Sequence, residues 1–154
     1  RLLLADSRVE VGRPMRDGWA PLHAASQKGH MEIVRLLLAD RRVEAGRLTN
    51  AGSTALYLAC QKGHAELAEA LLLSDPRLDP SAPAGEGATT PLYMACQNGH
   101  AGVAEVLLPD GRVDPNVPQR EGATPLYIAS QEGQAGAVRR PRHPAGSSAT
   151  GYSQ

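Results

Sequence analysis

The chain has 154 residues, of which 42% are hydrophobic, and its 16 basic residues balance its 16 acidic ones. This composition is too apolar for a disordered chain, and zero net charge removes the usual electrostatic argument for nucleic acid or a membrane surface as a partner. Aromatic residues are scarce, so we expect a core built from Leu, Ala, Val and Ile.

The sequence also predicts the cellular compartment of the protein and whether the chain is a fragment. The longest apolar runs, such as residues 71–73, are too short to span a bilayer. Cys60 and Cys96 are too few for a disulfide scaffold and are typical of reduced thiols. We therefore expect an intracellular protein, in the cytoplasm, with the nucleus as the alternative. Because the chain begins at Arg1 rather than Met, we also expect a fragment of a longer protein.

Four segments of the chain align when the sequence is compared with itself. Each contains a short block, typified by Thr-Pro-Leu-Tyr, and the blocks begin at Ala20, Thr54, Thr90 and Thr124. The spacings between them are 34, 36 and 34 residues. Each block is followed by a glycine, at 29, 63, 99 and 133, and the first three also by an apolar run. Residues 1–6 repeat the pattern of residues 35–40 at an offset of 34.

The first element of each repeat is predicted to be a short helix. Thr54 is a good N-cap, because its hydroxyl can accept from the exposed amides of the first helical turn. Pro91 and Pro125 follow such a threonine at the first helical position, where the N–H that proline lacks is not needed. The repeated glycine predicts that each helix ends in a left-handed conformation.

A second helix is predicted after each glycine. In the first complete repeat its apolar residues share one helical face: Ile33, Val34, Leu37 and Leu38. We expect the second helices to end near Asp40, Ser74 and Pro109, before turn-rich segments. Neither helix is long enough to be stable alone in water. Each must pack on its partner and on neighbouring repeats, which predicts an all-α solenoid.

Residues 18–30 read Gly-Trp-Ala-Pro-Leu-His-Ala-Ala-Ser-Gln-Lys-Gly-His. They resemble the ankyrin repeat, whose pattern is Gly-x-Thr-Pro-Leu-His-x-Ala-Ala-x-x-Gly-His, followed by a Leu-rich helix and a hairpin. The resemblance covers about residues 1–138 and implies antiparallel helix pairs with a β-hairpin projecting at a right angle. We predict a half repeat at 1–16, complete repeats starting near 17, 51 and 87, and a partial repeat at 121–138.

The chain departs from the family pattern at several positions. Tyrosine replaces the histidine of the pattern at 57, 93 and 127, whereas the first copy keeps His23 but has Ala20 in place of threonine. We therefore expect the hydrogen bonds at the helix starts to be rearranged. Prolines in the hairpin segments predict loops with little regular pairing. The interval before Thr90 has two extra residues, which we expect to bulge outward.

The fourth copy loses the pattern in the middle of its second helix. Pro141 is expected to stop that helix, and residues 139–154 are rich in Pro, Gly, Ser and Arg, which predicts a disordered tail. A truncation or an altered reading frame would explain so abrupt a loss. This tail contains a basic cluster of four residues: Arg139, Arg140, Arg142 and His143. The cluster matches a nuclear-localisation or nucleic-acid patch, but such short basic runs are common in disordered tails. We do not expect nucleic acid as a partner.

The sequence does not predict an enzyme. His30, His64 and His100 occupy one repeat position, so they form a ladder about 10 Å apart, too far for shared metal ligation. We expect each to bond nearby backbone. Cys60 and Cys96 also occupy one repeat position, so their Cα atoms are expected to be farther apart than the limit of about 7 Å for a disulfide. We expect both cysteines to be small packing residues. No catalytic, cofactor-binding or metal-binding motif is present, so we expect no cofactor and no small-molecule substrate.

The resemblance implies that a partner protein docks on the concave face formed by the hairpin tips and first helices. The residues of this chain that match that face are Trp19, Gln27, Lys28, Ser53, Gln61, Lys62, Gln97, Asn98, Ala123, Gln131 and Glu132. Trp19 is either an exposed interface anchor or a residue that packs across the base of its own hairpin. The glutamine shared by all four repeats is explained by recent duplication as well as by selection for binding.

These observations predict a monomeric, non-catalytic protein-binding scaffold. Two other functions stay open. The repeats could be the substrate-targeting module of a larger enzyme or ubiquitin-ligase complex whose catalytic part lies outside this chain. Alternatively, the chain could be the product of a decaying gene with no selected partner.

Overall fold

The computed structural model describes residues 2–139, and the chain forms nine helices within that range. They are α1 (Leu2–Ala5), α2 (Pro21–Lys28), α3 (Met31–Leu38), α4 (Ala55–Lys62), α5 (Ala65–Ser74), α6 (Pro91–Gln97), α7 (Ala101–Leu107), α8 (Pro125–Gln131) and α9 (Ala135–Val138). The first helices of the repeats, α2, α4, α6 and α8, pack side by side in chain order, and the second helices α3, α5, α7 and α9 form a layer beside them. The predicted all-α solenoid is confirmed. The predicted tail at 139–154, with Pro141, lies outside the described residues except for Arg139.

The segments between repeats are tight turns rather than β-hairpins. No strand forms between residues 2 and 139, where the only bridge is an isolated one between Ala84 and Thr89. The outermost backbone hydrogen bond in each of the other turns runs from Met15 N to Trp19 O (2.8 Å), Thr49 N to Ser53 O (3.0 Å) or Gln119 N to Ala123 O (2.9 Å). The prediction of loops with little regular pairing is confirmed, and the projecting β-hairpin that the resemblance implied is wrong for this part of the chain.

The predicted helix starts are also confirmed. A threonine hydroxyl accepts the N–H of the residue three positions later at Thr54 (3.0 Å), Thr90 (3.1 Å) and Thr124 (3.2 Å). Proline occupies the first helical position at Pro21, Pro91 and Pro125. Each helix therefore begins with an acceptor for a free backbone N–H group, with a proline that lacks this N–H group, or with both.

The first complete repeat begins its helix differently, because Ala20 has no hydroxyl. Nδ1 of His23 accepts the N–H of Ala20 at 3.0 Å, and Nε2 lies 2.8 Å from the carbonyl oxygen of Arg47. These partners fix a neutral ring with its proton on Nε2, which donates to Arg47. Burial lowers the pKa of His23 and so favours this neutral form. In the next repeat Tyr57 takes the histidine position, and its hydroxyl lies 2.8 Å from Oγ1 of Thr89.

The glycines that end the first helices adopt the predicted left-handed conformation at 29, 63, 99 and 133. Gly63 has φ 82°, and a Cβ there would lie 2.6 Å from Nδ1 of His100. The ring sits so close because His100 Nε2 lies 3.1 Å from the carbonyl oxygen of Gln61. His64 repeats this contact, with Nε2 3.3 Å from the carbonyl oxygen of Gln27. These histidines bond backbone as expected, but the carbonyl belongs to the preceding repeat rather than to their own turn.

The second helices supply much of the core. Val34 and Leu37 are buried as predicted, and so are their equivalents in α5 and α7. Ile33 differs, because 49% of its surface is exposed, whereas the equivalent Leu67 and Val103 are 2% and 1% exposed. The prediction that Ile33 belongs to the buried stripe is therefore wrong. The reason is that α1, the preceding second helix, contains only four residues and covers less of its neighbour.

The two extra residues before Thr90 occupy different places. Helix α5 has 10 residues against eight in α3 and seven in α7. Positions 63 and 75 are also one residue further apart than positions 29 and 40 or 99 and 110. One extra residue therefore lengthens α5. The other lies in the turn closed by Ala84 and Thr89, where residues 85–87 are exposed and Ala88 has φ 51°. The expectation that both residues bulge outward is wrong for the first.

An Asp-x-Arg pair follows α1, α3, α5 and α7, and its arginine can bind the preceding repeat. The Arg112 guanidinium pairs with Asp110 at 2.6 Å. It also donates to four carbonyl oxygens of the preceding repeat: Leu72 (3.1 Å), Asp75 (3.4 Å), Pro76 (3.2 Å) and Leu78 (3.2 Å). Arg42 acts in the same way on Leu4 and Val9, at 3.2 and 3.1 Å. The arginine thus satisfies carbonyls near the end of a helix, where a positive charge is favourable.

Arg77 is the exception in this series. Its guanidinium bonds to Asp75, its side chain is 89% exposed, and it forms no bond to the preceding repeat in the described part of the chain. A cleft of about 830 Å³ lies where such a bond would form, between residues 38–47 and 74–77. This is the repeat with the longer second helix, so its Asp-x-Arg pair falls out of register with the others.

Candidate functional site

A column of polar side chains follows the C-terminal ends of the first helices. Its first members are glutamines, half-buried in three repeats and exposed in the last: Gln27, Gln61, Gln97 and Gln131. Its second members are all exposed: Lys28, Lys62, Asn98 and Glu132. Because the first helices pack in chain order, the four pairs lie side by side. The charge along the column changes from basic in the first two repeats to acidic in the last.

Hydrogen bonds between repeats hold this column in register. The carbonyl oxygen of Gln61 accepts from Nε2 of His100 at 3.1 Å and from Nδ2 of Asn98 at 3.4 Å. Asn98 Nδ2 also donates to its own helix at Met94 O, 2.9 Å away. These bonds fix the backbone beneath the column and the Asn98 side chain before any partner arrives, which lowers the entropy that binding would cost.

Three predicted site residues lie in the turns, immediately before the first helices. Trp19 is half-buried and packs beside Tyr57 and Leu58 of the next repeat, with its ring centroid 6.1 Å from that of His23. It also lines an apolar cavity of about 380 Å³. Ser53 is 8% exposed and offers little surface, whereas Ala123 is half-buried. Trp19 thus has both a packing contact with the next repeat and a face on a cavity.

We call these turn and helix-end residues the turn–helix surface. It consists of Trp19, Gln27, Lys28, Ser53, Gln61, Lys62, Gln97, Asn98, Ala123, Gln131 and Glu132. The structure adds Tyr93, Tyr127 and Glu121, which line a pocket together with four members of the surface. Sequence reasoning missed these three, although the tyrosines at the histidine position of the pattern were the available signal.

The cysteines and histidines do not form a reactive centre in the part of the chain that the structure describes. Cys60 and Cys96 are buried and unpaired, and burial raises the pKa of both thiols. A raised pKa keeps them protonated at neutral pH, so neither is a ready nucleophile or metal ligand. Residues 2–139 contain no cluster of three or more His, Cys, Asp or Glu side chains that could hold a metal ion. None of the helices described is long and apolar enough to cross a membrane.

A comparison with known families agrees with two features of the fold: capped helix pairs within each repeat, and equivalent helices that pack on one another between repeats. A family model for ankyrin repeats, in three copies, matches residues 1–84 and 72–140. The chain belongs to the ankyrin-repeat family. No curated protein matches the chain. Ankyrin repeats are generally protein–protein interaction modules, and the family is typically non-catalytic.

Proposed function

We propose that this ankyrin-repeat chain is a non-catalytic scaffold that binds a partner protein on its turn–helix surface. The observation that carries the proposal is the column of polar side chains at the helix ends, where Asn98 and His100 bond the backbone of the preceding repeat at Gln61. A preformed surface spanning four repeats suits an extended partner, because little conformational entropy is lost on docking. In this proposal the chain acts as a monomer inside the cell and takes no small-molecule substrate.

The charges of the column supply the variant that tests this proposal. Lys62→Glu reverses an exposed charge at the centre of the surface, and Arg35→Glu reverses an exposed charge on the second-helix layer. Both changes alter net charge identically, so they differ only in the face that they affect. We expect Lys62→Glu to weaken partner binding about tenfold or more by unfavourable charge contacts, and Arg35→Glu to leave it unchanged.

The measurement is affinity capture with the full chain from extracts of the source cells, followed by titration of the captured protein. The proposal requires one protein that wild type and Arg35→Glu retain and Lys62→Glu loses. Circular dichroism of each variant checks that the helices remain folded. If the second-helix variant loses the partner and the column variant keeps it, the binding face has been assigned to the wrong layer.

A further inference from the structure

The last two repeats of the turn–helix surface enclose a pocket of about 530 Å³. Helices α6 and α8 form its sides, and the turn of residues 119–123 forms its rim. Gln97 and Gln131 lie on its walls and Ala123 at its edge, so the pocket is continuous with the column. A cavity of this kind accepts one protruding side chain of a docked protein rather than a flat surface.

The charge of the pocket is one-sided. Glu121 on the turn and Glu132 at the end of α8 both line it, and both are exposed. No lysine, arginine or histidine is among the lining residues, and neither glutamate takes part in an ion pair within residues 2–139. The pocket therefore presents two carboxylates that face solvent without a cation between them.

A tyrosine hydroxyl inside the pocket lacks a partner. Tyr93 is only 5% exposed, and its hydroxyl forms no hydrogen bond within the described part of the chain. In the preceding repeat the hydroxyl of Tyr57 bonds Oγ1 of Thr89 at 2.8 Å. The residue equivalent to Thr89 one repeat later is Ala123, which has no hydroxyl. The hydroxyl oxygen itself is not fully buried, so it opens onto the pocket, where a ligand atom can pair with it.

The surroundings of Tyr93 give a second sign of the negative field. Its pKa is raised, first by burial and then by the charges of Glu121 and Glu132. The same charges that oppose loss of the phenolic proton attract an incoming cation. Tyr127, 60% exposed, places a second aromatic ring in the lining.

We propose that this pocket binds the guanidinium group of an arginine presented by the partner protein. A guanidinium is planar and carries five N–H donors, so it can bond to carboxylates and to the tyrosine oxygen while its face stacks on an aromatic ring. A lysine ammonium offers fewer donors and no plane to stack. This assignment rests on the proposed function, because it names a group that the turn–helix surface would recognise.

A minimal probe tests the chemistry without the partner. The full chain, labelled with ¹⁵N, is titrated with N-acetyl-arginine amide, and amide shifts of Gly122, Ala123 and Gln131 are followed. N-acetyl-citrulline amide has the same shape but no charge. We expect saturable shifts with the arginine probe, and binding of the citrulline probe about tenfold weaker, since charge-assisted bonds are lost. Equal shifts with citrulline, or with N-acetyl-lysine amide, contradict a guanidinium site.

A double variant and a single-site control locate the binding site of the arginine probe. Glu121→Gln combined with Glu132→Gln removes both carboxylate charges and preserves side-chain shape, and we expect the arginine probe to bind about tenfold more weakly. The control is Glu105→Gln on α7, an exposed glutamate outside the pocket, for which no change is expected. If the control and the double variant behave alike, the pocket is not where the probe binds.

The chain itself carries arginines after α9, and one arm of the experiment addresses them. In full-length Arg139→Gln, Arg140→Gln and Arg142→Gln combined, we expect unchanged probe binding. If the probe binds only to that variant, the chain's own tail is the occupant and the assignment to a partner is wrong.

The partner-capture assay separates the arginine-pocket proposal from the proposed scaffold function. Capture that Lys62→Glu abolishes but the double glutamate variant retains contradicts the arginine pocket and leaves the scaffold function standing.

Discussion

At the scale of single residues, the glycines that end the first helices combine two constraints. Gly63 has φ 82° and lies against the His100 ring, whereas Gly133 has φ 66° and no atom within 4 Å of its virtual Cβ. Gly133→Ala should lower the free energy of unfolding by about 1 to 2 kcal/mol, the cost of a left-handed conformation for a residue with a Cβ. Gly63→Ala should cost about 1 kcal/mol more, because the His100 bond to Gln61 is disrupted as well.

Urea unfolding followed by circular dichroism measures both variants. A Gly63→Ala loss no larger than that of Gly133→Ala would show that the histidine contact adds nothing to stability. The position and conformation of these glycines could be predicted from the sequence, because a helix end is a local feature. The contact of Gly63 with His100 could not be predicted, because the histidine lies in the following repeat.

At the scale of elements, the length of one second helix decides whether two repeats are joined by an arginine. Arg112 bonds four carbonyl oxygens across its junction, whereas Arg77 remains on its own Asp75. We therefore expect Arg112→Ala to lower the melting temperature by several degrees, since four carbonyl oxygens lose their donor and two of those bonds are part-buried. Arg77→Ala should leave it unchanged within error, because an exposed ion pair contributes little.

Thermal melts of the two alanine variants, under identical salt, check this difference. Equal sensitivity of the two positions would mean that Arg77 also bridges its junction in solution. The sequence showed two extra residues but could not divide them between α5 and the following turn. Helix ends without a cap motif are weakly specified, and here Ser74 rather than a glycine precedes the turn. Ile33 was misassigned for a related reason, because burial of a helical stripe depends on the neighbour that covers it.

At the scale of the whole molecule, a solenoid is stabilised by contacts within each repeat and between adjacent repeats, without longer-range ones. Most of the apolar residues that are completely buried belong to the two repeats that contain α4 to α7, among them Leu56, Leu71 and Leu107. At the two ends, Leu2, Leu3 and Tyr127 are largely exposed. The fold class could be predicted from self-similarity alone, because every repeat restates the same local signals. The acidic pocket could not, because α6 meets the turn of residues 119–123 and α8 only in three dimensions.

Binding on a preformed surface, as proposed, requires a rigid central stack of helices. Hydrogen–deuterium exchange of the full chain, read by mass spectrometry, tests this most directly. We predict strong protection of the amides in α4 through α7 and fast exchange in α1 and α9, where packing is one-sided. If the amides of α4 through α7 exchange at the rate of an unfolded chain, the stack does not persist in solution, and the alternative of a chain without a selected partner is favoured.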